Sequence, residues 1–420
     1  MDRDPRAFLS DLFHAAVHAA DAEAALRANL PDRPRGRTVV IGAGKGAAQL
    51  AAAFERLWDG PVEGVVVTRY GYGCPTEHIR VMEAAHPVPD AAGLAATQAL
   101  FDAVRGLGPD DLVVALVCGG GSSLLPCPPG NLTLEDEAAL NRALLASGAP
   151  ISVMNAVRKH ASGIKGGRLA LACHPARVVS LIVSDVPGDD PAQVASGPTV
   201  PDTVDLAQAR RLIEAWRIAL PASVAAWLDA PDADAPLPSD PRFGRNEVRV
   251  IASARLSLEA AAAAARTGGI PAVILSDSIE GEARDVGGVL AAITREVAVH
   301  DRPFPRPVVI LSGGETTVTL RGADGRGGRN TAFLLAFALG VERLSVHALA
   351  ADTDGVDGTE QNAGAFCDGN TCDRLRSSGL DPMDLQARND AWTAFDHLGD
   401  LFTTGPTGTN VNDFRAILIR

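Results

Sequence analysis

Apolar runs of six or seven residues recur along the chain and alternate with Ala- and Leu-rich stretches of helical length. TVVIGAG (38–44), VEGVVVT (62–68), IRVMEAAH (79–86), DLVVALVCGGG (111–121) and RVVSLIVSDV (177–186) carry few polar residues. Near-continuous runs of this kind suit strands of a parallel sheet buried on both faces. Helical patterns follow the first run, from Lys45 to about Trp58, and the third, at about 90–106. The alternation predicts a doubly wound α/β layer. A second α/β series runs through VRVIAS (248–253), PAVILS (271–276), RPVVILSGGE (306–315) and LSVHALAADTDG (344–355). Between the two series, residues 229–247 are rich in Pro and Asp, lack periodicity and read as a linker. The pattern therefore predicts two α/β domains, an N-terminal Rossmann-like one at 1–235 and a C-terminal one at 246–420, either of which could be discontinuous.

Composition narrows the function. Hydrophobic residues make up 46% of the 420 and charged residues 21%, a globular balance. A net charge of −13 argues against nucleic acid as a partner, because such partners ask for a basic face. The first 26 residues read as an amphipathic helix without the apolar centre of a signal peptide, and no run is long enough to span a bilayer. The cytoplasm is the expected location, with no membrane partner. Six cysteines without a C-x-x-C pair read as buried free thiols.

Six loops carry the candidate chemistry. GAGKGA places Gly42, Gly44 and Lys45 between a strand and a helix, where backbone N–H groups can meet phosphate. A lysine at a positively polarised helix start is unfavourable unless an anion completes the site. The following strand ends in Thr68-Arg69 rather than an acid, which disfavours NAD and leaves NADPH open. CGGGSS supplies Gly119, Gly120, Gly121, Ser122 and Ser123 as a second anion cradle. In SDVPGDDPAQVASGPT, Asp185, Asp189 and Asp190 follow a strand, and clustered carboxylates suit magnesium shared with phosphates. SGGETTV contributes Gly313 and Gly314, and RGADGRGGRNTA contributes Arg326, Arg329 and Asn330. ADTDGVDGT carries Asp352, Asp354 and Asp357 but lacks the ligand pattern of a calcium loop. TTGPTGTNVND brings Thr407 and Asn410. His86 and His160 read more simply as structural than as cleft residues, and no Ser-His-Asp arrangement is present.

Taken in order, these loops, with YGYGCPTEHIRVMEAAHPVPD and SVMNAVRKHASGIKGGRLA, resemble the class II glycerate kinases, whose C-terminal part is the MOFRL domain. The motifs span nearly the whole chain. The resemblance implies ATP as co-substrate, a divalent cation such as Mg2+, and phosphorylation of D-glycerate at its 2-hydroxyl in a cleft between two α/β domains. It implies Lys45 and Arg329 as catalytic residues. The loops themselves suggest phosphate-binding roles for the glycines, Ser122, Ser123 and Asn330, and substrate contacts for Arg326, Thr407 and Asn410. Asp189, Asp190 and Asp354 are the metal candidates. Two departures stand out: Thr331-Ala332 follows GGRN where the family has Gln-Glu, and Ala254-Arg255 replaces an Asn-Arg pair. The alternatives are an NADPH-dependent hydroxypyruvate reductase, favoured by GAGKGA with Arg69, and a non-catalytic sensor of phosphorylated metabolites. Whether the protein forms a homodimer is left open.

Overall fold

In a computed structural model that describes residues 4–320 and 325–420, the chain divides into two compact units. The first is Ala22–Ile251; the second is discontinuous, Met1–Asp21 with Ala252–Arg420.

The first unit is built on six strands: β1 (Thr38–Ala43), β2 (Glu63–Arg69), β3 (Ile79–Ala84), β4 (Leu112–Cys118), β5 (Arg177–Val183) and β6 (Glu247–Ala252). Their order is β3-β2-β1-β4-β5-β6, and the pairs from β3 through β5 are parallel. Every residue of β1 and β4 is buried, as their unbroken Val/Leu/Ile content requires. The chain leaves β1 toward β2 and β3, then returns to lay β4 on the other side of β1. That reversal is a topological switch point, where doubly wound folds place ligands. The helix Ala47–Leu57 buries Leu50 and Phe54 together with Ala47, Ala48, Ala51 and Ala53, whose small side chains let it sit close to the sheet.

The expected linker belongs to this unit. Ala233 and Ala235 are buried, Phe243 joins the core, and the Arg168 guanidinium donates to the carbonyls of Ala233 and Asp234 at 3.3 and 2.9 Å. Pro and Asp break its periodicity without freeing it from the fold. The strand expected to begin the second series is β6, on the edge of the first sheet.

The second unit carries β7 (Ala272–Ser276), β8 (Gly281–Glu282), β9 (Val308–Gly314), β10 (Thr316–Thr317), β11 (Val346–Asp352), β12 (Gly364–Asp368), β13 (Leu401–Phe402) and β14 (Asp413–Ile419). Its main sheet has the order β13-β12-β11-β14-β9-β7. Only β7 and β9 pair in parallel; β14 runs antiparallel between β11 and β9. The α/β class is as expected, but this sheet is mixed. The N-terminal helix Pro5–Ala19, capped by Asp4, buries Phe8, Leu9, Leu12, Phe13 and Ala16. They pack against Leu258, Ala261 and Ala265 of the helix Ala254–Thr267 and against Leu311, Leu349 and Phe414 of the sheet. This apolar stripe places the first helix in the second unit.

Candidate active site

In the first unit the loops after β1 and β4 meet at the switch point. The Lys45 N–H donates to the Gly119 carbonyl at 2.9 Å, Gly44 N–H to Val67 at 3.1 Å, and the Thr68 hydroxyl to the Lys45 carbonyl at 3.1 Å. The glycines permit this closeness. A Cβ at Gly42 would stand 2.3 Å from the Leu116 carbonyl oxygen, and Gly44, at φ +136°, is equally tight against that of Cys118. The Cys118 thiol accepts from the Gly46 N–H at 3.2 Å, and burial pushes its pKa up to about 12. It is a packed neutral thiol, not a nucleophile.

Lys45 extends along Gly120. A Cβ there would lie 3.0 Å from Lys45 Cγ and 3.1 Å from His86 Nε2, and Gly120 has φ +79°. Asp185 presses its carboxylate on Gly119, where a Cβ would overlap Oδ2. Lys45, His86 and Asp185 therefore ring one glycine loop. Among the described residues Lys45 has no ion-pair partner. Burial, then the charges of Lys45 and Arg69, lower the His86 pKa, which favours a neutral imidazole.

Past Gly121, the Ser122 hydroxyl meets that of Ser196 at 2.8 Å, and Ser123 bonds only to the Gly120 carbonyl, at 3.4 Å. Asp189 sits at φ 55° in the adjoining turn. Asp190 accepts from the Ala192 N–H at 3.0 Å and from Gln193 Nε2 at 3.5 Å. His160 is fully buried and held by the former linker: its Nδ1 accepts from Ala235 N–H at 3.0 Å, and burial pushes its pKa down to about 4. It is structural. Lys165 is also fully buried, paired with Glu137 at 2.6 Å.

In the second unit the loops after β9 and β11, the start of the helix Arg329–Gly340 and the segment before β14 converge. Arg329 bonds three carboxylates: Nε to Asp413 and Nη2 to Asp352, each at 2.6 Å, and Nη1 to Glu315 at 2.9 Å. Burial disfavours its charge, but Asp413, Asp352 and Glu315 outweigh burial and raise its pKa. All three partners come from outside its own loop. Asp352 is itself raised, first by burial and against the pull of Arg329. Asp413 also accepts from Asn330 Nδ2 at 2.9 Å and from Arg415 Nη2 at 2.5 Å.

Asp357 caps the helix from a separate loop, accepting from the N–H groups of Asn330 and Thr331, each at 2.9 Å, and from the Thr331 hydroxyl at 2.8 Å. The Thr331-Ala332 departure thus leaves Arg329 oriented by other acids and gives Thr331 a capping role. Asn330 is fully buried, with both amide and backbone donors committed to carboxylates of its own unit.

Arg326 stacks on Trp392, 3.6 Å from the ring centroid, and pairs with Glu360 at 2.7 Å. The residues just before it, 321–324 of the RGADGRGGRNTA motif, lie outside the described residues. Gly313 and Gly314 end β9 in the core, and a Cβ at Gly314 (φ +121°) would strike the Ile279 backbone at 2.2 Å. The Thr407 N–H donates to the Asp354 carbonyl at 3.1 Å, Asp354 turns its carboxylate to the Val356 N–H at 2.8 Å, and Asn410 Oδ1 accepts from the Asn412 N–H at 3.0 Å. These residues hold turns. Among the described residues no three or more His, Cys, Asp or Glu side chains are gathered as a preformed metal site, and no described helix is long and apolar enough to cross a membrane.

Sequence reasoning did not assign Glu315, Asp413, Asn155, Arg158 or Ser196. Each sits inside a motif it had marked, but side-chain partners from distant loops leave no local pattern.

Comparison with known proteins agrees with this layout. A model described as a domain of unknown function, DUF4147, matches residues 8–229, and the MOFRL family model matches residues 308–413. The chain is 51% identical, over 100% of its length and 95% of the relative's, to an Agrobacterium vitis protein provisionally named a hydroxypyruvate reductase. It is 39% identical to the glycerate 2-kinase of Pyrococcus horikoshii, covering 90% of this chain and 86% of that one. A solved glycerate kinase structure from Thermotoga maritima matches with a TM-score of 0.90 at 35% identity, covering 99% of each chain.

Proposed function

This chain belongs to the MOFRL family of glycerate 2-kinases, and from that premise we infer that it phosphorylates glycerate at the 2-hydroxyl. The observation that carries the reading is Lys45, a cation without an ion-pair partner among the described residues, held along Gly120 at the switch point of a doubly wound sheet. Phosphoryl transfer asks chiefly for positioning and for positive charge on the transferring oxygens. Lys45 supplies such a charge, and the loops at Gly42–Gly44 and Gly119–Ser123 present backbone close to it. ATP is the phosphoryl donor and D-glycerate the acceptor, in the cytoplasm.

Arg329 is the second catalytic cation in this reading. Its two buried partners, Asp352 and Asp413, fix the guanidinium, while the Glu315 side chain is 53% exposed. An incoming phosphoryl oxygen displaces Glu315 and takes Nη1, leaving the other two bonds as the orienting frame. Arg326, Thr407 and Asn410 contact substrate from the same group of loops.

Magnesium uses few protein carboxylates and completes its shell with water and substrate phosphates, so a preformed cage is not required. Asp189, Asp190 and Asp354 are the carboxylates assigned to it. When bound, it neutralises phosphate charge.

The relative named for hydroxypyruvate reduction supports a second reading. Against it, β2 carries no acid at its end for the ribose hydroxyls, and Arg69, which an NADPH site would use, is stacked on Tyr72 with its guanidinium 3.7 Å from the ring centroid. One pair of assays separates the two: ADP release from D-glycerate, ATP and magnesium, and NADPH consumption with hydroxypyruvate. Turnover in the second without the first overturns the kinase reading.

A further inference from the structure

Arg158 is 8% exposed and carries its charge without an acid. Its Nε donates to Asn141 Oδ1 at 2.9 Å, and its Nη1 donates to Asn155 Oδ1 at 2.5 Å and reaches the Ser196 hydroxyl at 3.5 Å. All three acceptors are neutral. Among the described residues no carboxylate pairs with it, and Nη2 has no protein acceptor. Glu137, the acid whose charge reaches it, is committed to Lys165 at 2.6 Å. Burial holds the guanidinium pKa down to about 10, still charged at neutral pH. The other buried cations of this unit, Lys159 and Lys165, each have an acid at 2.8 and 2.6 Å, so Arg158 is the exception.

The surroundings are built with care. Asn155 is fixed by Gln193, its Nδ2 donating to the backbone carbonyl at 3.2 Å and to Oε1 at 3.1 Å. The Ser196 hydroxyl donates to Asn155 Oδ1 at 2.9 Å and meets Ser122 at 2.8 Å. Ala195, Ser196 and Gly197 hold φ of 53°, 60° and 60°, three successive left-handed residues, two of them with side chains that disfavour it. Strain of this kind persists where the surroundings dictate one conformation. It sets the Ser196 hydroxyl between Arg158 and Ser122.

We propose that Arg158, positioned by Asn155 and Ser196, is the receptor for the substrate's carboxylate and the determinant that selects a hydroxy acid over a neutral polyol. A guanidinium fork matches a carboxylate in shape and charge. The acceptor carboxylate lies two bonds from the 2-hydroxyl oxygen, so its receptor must lie close to the phosphoryl site. Ser122 bridges the distance: it is two residues from Gly120, along which Lys45 lies, and its hydroxyl is bonded to Ser196. A triphosphate is large and multiply charged and suits the open glycine loops better than a cation this enclosed. The proposal rests on the glycerate kinase reading and assigns the substrate end of that site.

Two variants test it. Arg158→Gln removes the charge and should raise the KM for D-glycerate by on the order of 10²-fold, the worth of a charged hydrogen bond, while the KM for ATP stays within about threefold. Asn155→Asp keeps the outline and supplies the missing internal acid, while giving up the two amide bonds to Gln193. It neutralises the cation from within, so it should abolish the Tm increase that D-glycerate gives the wild type. A structural role for Arg158 predicts instead that Asn155→Asp leaves the D-glycerate KM and the D-glycerate-induced Tm increase unchanged, which would overturn the proposal. A rise confined to the ATP KM would overturn it too, by placing Arg158 at the nucleotide. If Arg158→Gln does not fold, Asn155→Asp still decides. Wild-type ADP release from D-glycerate tests the kinase reading separately, since the Tm response to glycerate does not depend on turnover.

Discussion

Replacing Arg329 with alanine should damage stability and catalysis by separable routes. The guanidinium is shared among Asp413, Asp352 and Glu315. Asp413 would keep Arg415 and Asn330, and exposed Glu315 would turn to water. Asp352 would keep only the Asp354 N–H, at 3.0 Å, for its other oxygen, Oδ1. Removing one partner of a buried ion pair costs about 3–5 kcal/mol, and because Asp413 stays bonded the lower end, about 3 kcal/mol, applies. At about 2–4 °C per kcal/mol for a domain of 150–250 residues, the melting transition should fall by about 6–12 °C. The loss should depend on pH. Burial already raises the Asp352 pKa in the folded state above its unfolded value, and Arg329 is the largest influence holding it down. Without Arg329 it rises further, the folded state binds the proton more tightly than the unfolded, and the deficit grows as pH rises from about 4 through the new folded pKa. Thermal melts of wild type and Arg329→Ala across pH 4.5–8 measure this. Adding Asp352→Asn should restore much of the melting temperature and none of the turnover. A single variant melting within 2 °C of wild type at every pH would refute the electrostatic account. A double variant that regains kcat would refute the catalytic one.

Lys45→Ala should lower kcat by roughly 10²–10⁴ with little change in Tm, because no ion pair is broken; a normal kcat with a raised KM would make Lys45 a binding group only. Gly120→Ala should cost about 1–2 kcal/mol for a left-handed residue with a side chain and should displace Lys45 from its track. The kinetic loss should then approach that of Lys45→Ala, and near-wild-type kcat would show that the track is unimportant. Asp190→Asn should raise the magnesium concentration needed for half-maximal rate with Tm nearly unchanged. Unaltered metal dependence with an early melt would make Asp190 a turn residue.

Much of the first unit was legible because its determinants are local. Unbroken Val/Leu/Ile runs mark β1, β4 and β5, and the glycines of GAGKGA and CGGGSS mark loops that pack at backbone distance. The resemblance to a known family was legible from the order of such loops. The second unit was less so. Nothing in DFRAILI at 413–419 says that it lies between β11 and β9, because antiparallel pairing over long separations leaves no periodic trace. The stripe Phe8, Leu9, Leu12, Phe13 predicts a buried helix face but not its partner. Asp352 and Asp413 received no role from the sequence, since an aspartate that caps a turn and one that orients an arginine look alike in one dimension. The composition of 229–247 suggested a free linker because burial there works through backbone carbonyls taken by Arg168, which composition does not encode.

The position of β14 sets an order of events during synthesis. It separates β11 from β9 in the finished sheet but comes later in the chain than either. As the polypeptide leaves the ribosome, the unit Ala22–Ile251 emerges ahead of the second sheet and can close on itself, as N-terminal domains generally do. The helix Pro5–Ala19 emerges before all of it, with Phe8, Leu9, Leu12 and Phe13 destined for a cluster whose other members run from Leu258 to Leu418. Its apolar face must therefore wait through the birth of an entire neighbouring unit. That interval gives a nascent-chain chaperone its natural target, and early arrest products should be captured through this helix more readily than through any strand of the first sheet.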